Sequence, residues 1–221
     1  MGDVNQLIYL KKRLPVVEGS VLEIGSKNYG NTATFRDFYA SNVYVGVDLE
    51  AGPNVDVVAD LTRQGHGLQN NAFALVICCS VLEHVKKPWL FAPVVSDLVK
   101  LGGHLYISVP WVWPYHAFPD DYYRYSFRGI QELFDGFEWS QITYATGVPG
   151  EFTPIDLAAP YQDLAMVVRK SLQKDKKNRG VFAGAVRWFK RNIGKTDMHE
   201  PLREYLPYLM VNMIGTKRVS E

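Results

Sequence analysis

The sequence predicts an α/β protein: a doubly wound, mostly parallel sheet of seven strands with a helical insertion ahead of the last strand. Three observations predict it. The first 150 residues alternate short apolar runs with helix-like stretches. One run, 73–79 (FALVICC), is apolar throughout, as a strand buried on both faces must be. The early runs end on Gly, Asp or Ser, and ligands of open α/β sheets sit just beyond such strand ends.

Strand one is 20–24 (SVLEI), ending at Gly25, followed by a helix over 32–40. Strand two is 43–47 (VYVGV), ending at Asp48, and strand three is 55–59 (VDVVA), ending at Asp60. After strand four at 73–79, Pro88 opens a helix at a position where its missing N–H does no harm, and Gly102-Gly103 stops it. Strand five is 104–109, ended by Pro110; a helix over 126–134 takes Ser126 as N-cap; strand six is 137–145. The last apolar run, 209–215 (LMVNMIG), is strand seven. Two helical stretches, 156–172 and 181–193, fall between the last two strands. The chain thus divides into an α/β core (1–150), a basic helical insertion covering the acceptor side (151–205) and a returning strand (206–221).

With 47% hydrophobic and 21% charged residues, the composition excludes an extended disordered chain. No apolar run approaches the roughly 18–20 residues needed to cross a bilayer, and the first residues lack the basic and apolar regions of a signal peptide. The two cysteines, Cys78 and Cys79, are adjacent in a strand and point to opposite faces, which disfavours a disulfide or metal pair and suits a reducing cytoplasm. The net charge of +1 hides an asymmetry: residues 1–165 carry 11 basic and 18 acidic residues, whereas 166–195 carry 10 basic residues against Asp175 alone. Within that segment, 181–193 reads as an amphipathic basic helix, which packs on the domain with its cations in water, meets a membrane surface, or raises the local concentration of an anionic acceptor. Nucleic acid is disfavoured as a partner, because the basic stretch has few stacking aromatics.

At the strand ends, Asp48 stands 23 positions after Gly25, placed to accept the hydroxyls of a ribose, and Asp60 is placed to accept from an adenine amino group. A nicotinamide enzyme usually carries Gly-x-Gly-x-x-Gly after its first strand so that a diphosphate can approach the backbone. Here the turn is Gly25-Ser26-Lys27-Asn28-Tyr29-Gly30, with Lys27 where the second glycine belongs, so a cofactor without phosphates fits better.

The segments VLEIGSKNYG (21–30), VYVGVDLE (43–50), VVADLT (57–62), FALVICCSVLEHVKKP (73–88) and LVKLGGHLYISVP (98–110) resemble those of the class I S-adenosylmethionine-dependent methyltransferases over roughly residues 20–145. The resemblance implies a Rossmann-like methyltransferase fold and S-adenosylmethionine as cofactor. It places Glu23 and Gly25 at the cofactor's methionine end with Ser26 and Lys27, Asp48 and Leu49 at the ribose, Asp60 and Leu61 at the adenine, and Ser80 near the sulfonium.

After strand five comes an aromatic-rich loop, WVWPYHAFPDDYYRYS (111–126), suited to closing a pocket and excluding water. It resembles a segment of methyltransferases associated with sugar and cell-envelope biosynthesis, which implies a small-molecule or saccharide acceptor, methylated on oxygen. His116 is the candidate base by type, with Asp120 or Asp121 to orient or replace it. Tyr115, Tyr122, Arg124 and His84 are candidate acceptor contacts, Arg124 alternatively locking the loop through Asp120 or Asp121 and His84 alternatively capping or packing. The five histidines are scattered and no Cys-x-x-Cys or His-x-x-x-His spacing occurs, so no metal site is expected. A catalytically silent module working through the basic insertion is the alternative to an enzyme.

Overall fold

In the computed structural model the described residues are 4–30, 34–116, 119–159 and 208–219. They form one eight-stranded sheet in the order β3-β2-β1-β4-β5-β8-β6-β7. Here β1 is Ser20–Ile24, β2 Tyr44–Asp48, β3 Val57–Val58, β4 Phe73–Cys79, β5 Val99–Val112, β6 Phe137–Ala145, β7 Phe152–Pro154 and β8 Leu209–Lys217. Strands β1 to β5 pair in parallel, and β8 is antiparallel to both β5 and β6 between which it lies. The strand order reverses between β1 and β4, which opens the crevice where ligands of doubly wound sheets bind.

Every residue of β4 is buried, as its unbroken apolar run requires. Successive residues alternate between two cores: Val76 and Cys78 join the cluster with Phe91, Val95 and Ile130, and Leu75, Ile77 and Cys79 join the cluster with Tyr9, Leu10, Phe35 and Tyr39. The first cluster is covered by α3 (Pro88–Leu98) and α4 (Phe127–Leu133), the second by α1 (Val4–Arg13) and α2 (Phe35–Phe38). Cys78 and Cys79 are free and buried on opposite faces. Ser126 caps α4 as expected, its Oγ accepting from the Gly129 N–H at 3.1 Å.

Several boundaries differ from the sequence-based expectation. Helix α1 was not expected at all; its mixed sequence hides a buried face on which even Asn5 and Gln6 are covered. The Gly102-Gly103 pair lies inside β5, with Gly102 at φ +71°, and Pro110 does not end that strand. α3 stops earlier, at Leu98, and the pair shapes a register shift at the start of β5. Helix α2 has only four residues, with 31–33 outside the described residues. β7 is an eighth strand, pairing with β6 at Ala145↔Phe152, in a stretch assigned to the insertion. Residues 156–159 are described and not helical; the rest of the two expected insertion helices lies outside the described residues.

Candidate active site

The residues expected at the cofactor gather at the carboxyl ends of β1, β2 and β3. β1 leads into Gly25 at φ +73°, where an added Cβ would stand 2.4 Å from Val81 Cγ2, so only glycine lets the chain turn there. The turn is tied to β2 through the Gly25 and Ser26 amides, which donate to the Val47 carbonyl. Asp48 braces the same turn: Oδ2 accepts the Lys27 N–H at 3.0 Å and Oδ1 the Glu50 N–H at 3.3 Å. A carboxylate has about four lone-pair directions, so two remain for outside donors such as vicinal hydroxyls. Lys27 Nζ pairs with Glu50 at 2.7 Å.

Asp60 stands beside Asp48 through the Ala59 N–H to Asp48 carbonyl bond (2.9 Å). Its Oδ1 accepts from the Thr62 amide and hydroxyl, and Oδ2 faces Arg63 at 3.1 Å, so much of its capacity is spent in its own turn. Leu61 is buried and Leu49 exposed. Glu23 is buried and accepts from Tyr44 Oη at 2.7 Å; burial pushes its pKa up to about 7. Ser80 follows β4 at φ +52° and its Oγ accepts from Gln6 Nε2, which also reaches Ser108 Oγ, so the unexpected α1 touches the floor of the crevice.

The second group of expected site residues gathers on the 3₁₀ turn Leu82–His84 after β4 and the loop after β5. The Tyr122 and Tyr123 amides donate to the Glu83 carbonyl, which clamps the loop onto the turn. Arg124 donates to both carboxylate oxygens of Asp121 (2.5 and 2.6 Å) and to the carbonyls of Trp113, Pro114 and Tyr123. With every N–H direction of its fork used inside the loop, Arg124 locks the loop through Asp121, the second of its two expected roles. Trp113 stacks on Tyr208, just ahead of β8, at 4.4 Å between ring centroids.

Asp121, its side chain 1% exposed, is the partner of His116: Oδ2 accepts the His116 amide at 3.0 Å and lies 3.1 Å from Nδ1. Burial opposes ionisation of Asp121, but the bonds from Arg124 and the His116 amide outweigh it and hold its pKa below the ordinary value. His116 Nδ1 faces only acceptors, Asp121 and the Pro114 carbonyl, so Nδ1 carries the proton and Nε2 a free lone pair. Asp120 plays a different part, its carboxylate accepting from Tyr115 Oη (2.7 Å) and its carbonyl meeting His84 Nδ1 (2.6 Å). Tyr115 and Tyr122 are exposed at the rim.

The residue that the sequence did not single out is Glu83. Its side chain is 1% exposed, and Oε1 lies 3.9 Å from both His84 Nε2 and His116 Nε2. The two imidazoles meet edge to face at 4.9 Å. Histidines 32 positions apart in a scattered set are thus brought together with a carboxylate, which corrects the expectation that no ligand cluster exists. The Leu-Glu-His run carried the signal, but only the loop folding back over it reveals which way Glu83 faces.

No family model matches the chain. A curated relative, the ubiquinone biosynthesis O-methyltransferase of Vibrio atlanticus, is 39% identical over 61 residues, which are 27% of this chain and 25% of that protein. Among solved structures, Haemonchus contortus phosphoethanolamine N-methyltransferase 2 in complex with S-adenosyl-L-methionine is similar over 97% of this chain and 52% of its own, with TM-score 0.52 and 17% identity. The chain has the class I methyltransferase fold. It spans only about a quarter of the curated relative and half of that solved structure. The [4+2]-cyclase SpnF shares the fold at TM-score 0.57 and 14% identity, over 98% of this chain and 82% of that one, so architecture does not dictate the reaction. Among the described residues no helix is long and apolar enough to cross a membrane.

Proposed function

We propose that the chain is an S-adenosylmethionine-dependent methyltransferase acting on a hydroxyl of a small molecule or saccharide. The observation that carries the proposal is the pairing of two sites along one sheet edge: Asp48 with unused acceptor capacity beside the Gly25 turn, and the Asp121–His116 dyad beyond β4 and β5. The similarity to proteins named as methyltransferases supports it.

In this reading Asp48 accepts the ribose hydroxyls, Glu23 and Gly25 border the methionine end with Ser26 and Lys27, and Asp60, Leu61 and Leu49 border the adenine. S-adenosylmethionine supplies an electrophilic methyl on a cationic sulfur. The chain's own work is alignment and proton handling: the Trp113, Tyr115 and Tyr122 loop encloses the acceptor, and His116 Nε2 accepts the hydroxyl proton while Asp121 steadies the resulting imidazolium. The cations of 166–195, outside the described residues, favour an anionic acceptor.

The test is formation of S-adenosylhomocysteine from S-adenosylmethionine across a panel of phenols, sugars and sugar phosphates. The proposal expects turnover with at least one hydroxyl acceptor, and a His116→Ala loss on the order of 100-fold in kcat with an unchanged cofactor KM. Cofactor binding with no turnover on any acceptor would favour the silent binding module; turnover only on amines would overturn the hydroxyl assignment.

A further inference from the structure

With Glu83 ionised, as a bound cation would hold it, Glu83, His84 and His116 present three acceptor atoms to one another and no donor. Both imidazole Nδ1–H groups are committed outward, His84 to the Asp120 carbonyl at 2.6 Å and His116 to the Pro114 carbonyl at 3.2 Å, with Asp121 Oδ2 3.1 Å from the same His116 nitrogen. Both Nε2 lone pairs therefore face Glu83 Oε1, each at 3.9 Å, too far for a hydrogen bond. The three ligand atoms lie within 4.8 Å of one another. Neither carboxylate oxygen of Glu83 has a hydrogen-bond partner, although the side chain is 1% exposed. A buried carboxylate aimed at two imidazole lone pairs is satisfied by a cation in the space they enclose.

We infer that Glu83, His84 and His116 form a binding site for a single first-row divalent metal ion. Two imidazoles with one carboxylate suit zinc, manganese, iron or cobalt ahead of magnesium or calcium, which prefer all-oxygen surroundings. Three protein ligands leave further positions open, the arrangement of a catalytic rather than a structural site. The outer partners are already in place: histidine ligands characteristically donate their second N–H to a carboxylate or carbonyl, as the Pro114 and Asp120 carbonyls receive it here, with the Asp121 carboxylate 3.1 Å from His116 Nδ1. A small contraction of the three side chains brings them to coordination distance.

The site goes beyond the proposed reaction and stands without it. An ion held there by Glu83, His84 and His116 would occupy the His116 lone pair, so His116 would act as proton acceptor only in the ion-free site; with the ion bound, the metal would instead supply the acidity of an acceptor hydroxyl at an open position.

The experiment is titration of the chelator-stripped full chain with Co2+, Zn2+ and Mn2+, following the Co2+ visible absorption and calorimetric stoichiometry, with S-adenosylhomocysteine titrated in parallel. The inference expects one ion per chain, a Co2+ spectrum with nitrogen ligation, and a loss of affinity on the order of 100-fold or more in Glu83→Gln and in His116→Ala. Asp121→Asn, acting through His116, should weaken binding on the order of 10-fold. Absence of one-to-one binding in the wild type, affinity unchanged in both ligand variants, or selective uptake of methylammonium in place of every metal would overturn it. The wild-type spectrum decides the matter even if a variant fails to fold. S-adenosylhomocysteine binding without metal binding overturns the ion alone, and metal binding without S-adenosylhomocysteine overturns the methyltransferase reading alone.

Discussion

The two ends of the crevice satisfy their carboxylates in opposite ways. On the cofactor side, Asp48 and Asp60 are partly open to water and bonded to amides in the turns around them, Lys27, Glu50 and Thr62. At the end proposed for the acceptor, Asp121 and Glu83 are each 1% exposed, and their surroundings come from a loop that leaves β5 after Val112 and folds back over the turn Leu82–His84. Asp121 is fully paired with Arg124, whereas neither oxygen of Glu83 has a hydrogen-bond partner and only His84 and His116 stand near it, each at 3.9 Å. Locally satisfied acids hold a binding edge at little cost in stability. A buried acid without a hydrogen-bond partner gives up its charge more readily: burial pushes the pKa of Glu83 up to about 7, as it does that of Glu23, and a group so shifted in a cleft is a candidate for chemistry.

That contrast can be broken at its stiffest point. Arg124→Met removes the partner of a buried carboxylate; such losses run to about 3–5 kcal/mol, and the 27% exposure of Arg124 puts this one near the lower end, about 3 kcal/mol by denaturant unfolding. The acceptor loop should lose its order while S-adenosylhomocysteine affinity changes little, because the cofactor edge is braced separately.

Glu23 sharpens the comparison, being the one cofactor-side acid that is buried. Its pKa is raised from 4.5 to about 7 by burial, so the native state holds its proton more tightly than the unfolded chain. The stability this contributes is complete below about pH 4.5 and is lost as the pH rises to about 7, a difference of about 3 kcal/mol. Glu23→Gln should flatten that part of the stability profile, read from unfolding midpoints between pH 5 and pH 8. An unchanged slope would place the proton elsewhere.

A smaller effect belongs to Asp48→Ala. Losing hydrogen bonds to a partly exposed charged acceptor costs about 2 kcal/mol, so S-adenosylhomocysteine should bind on the order of 30-fold more weakly with little change in stability. The smallest lies outside both sites: Ser126→Ala removes the α4 cap, costs about 1 kcal/mol and leaves ligand affinity alone.

How much of this was legible in the sequence follows the same division. β1, β4 and β6 lie where the apolar runs put them, because their patterns are set by burial that a single segment records. Asp48 and Asp60 were legible because each stands at or just beyond the end of its own apolar run, Asp48 as the last residue of β2 and Asp60 shortly after β3. Helix α1 was not, since its buried Asn5 and Gln6 are satisfied by Thr146, Val148, Ser80 and Ser108, more than 70 positions away. Gly102-Gly103 and Pro110 were misread because glycine and proline are local signals, and the long pairing of β5 with β4 and β8 overrides them. His116 and Asp121 were visible as residue types, but Glu83 was not, because a glutamate in a turn is ordinarily solvated and only the returning loop buries it.

The central claim is that the edge formed by Gly25, Asp48 and Asp60 grips the nucleoside of a methyl donor. Calorimetric titration of the full chain with S-adenosylhomocysteine, in wild type and in Asp48→Ala, tests it most directly. One site per chain, weakened by the substitution, is the result the geometry predicts; no heat and no binding at millimolar ligand, or equal affinity in both proteins, would contradict it.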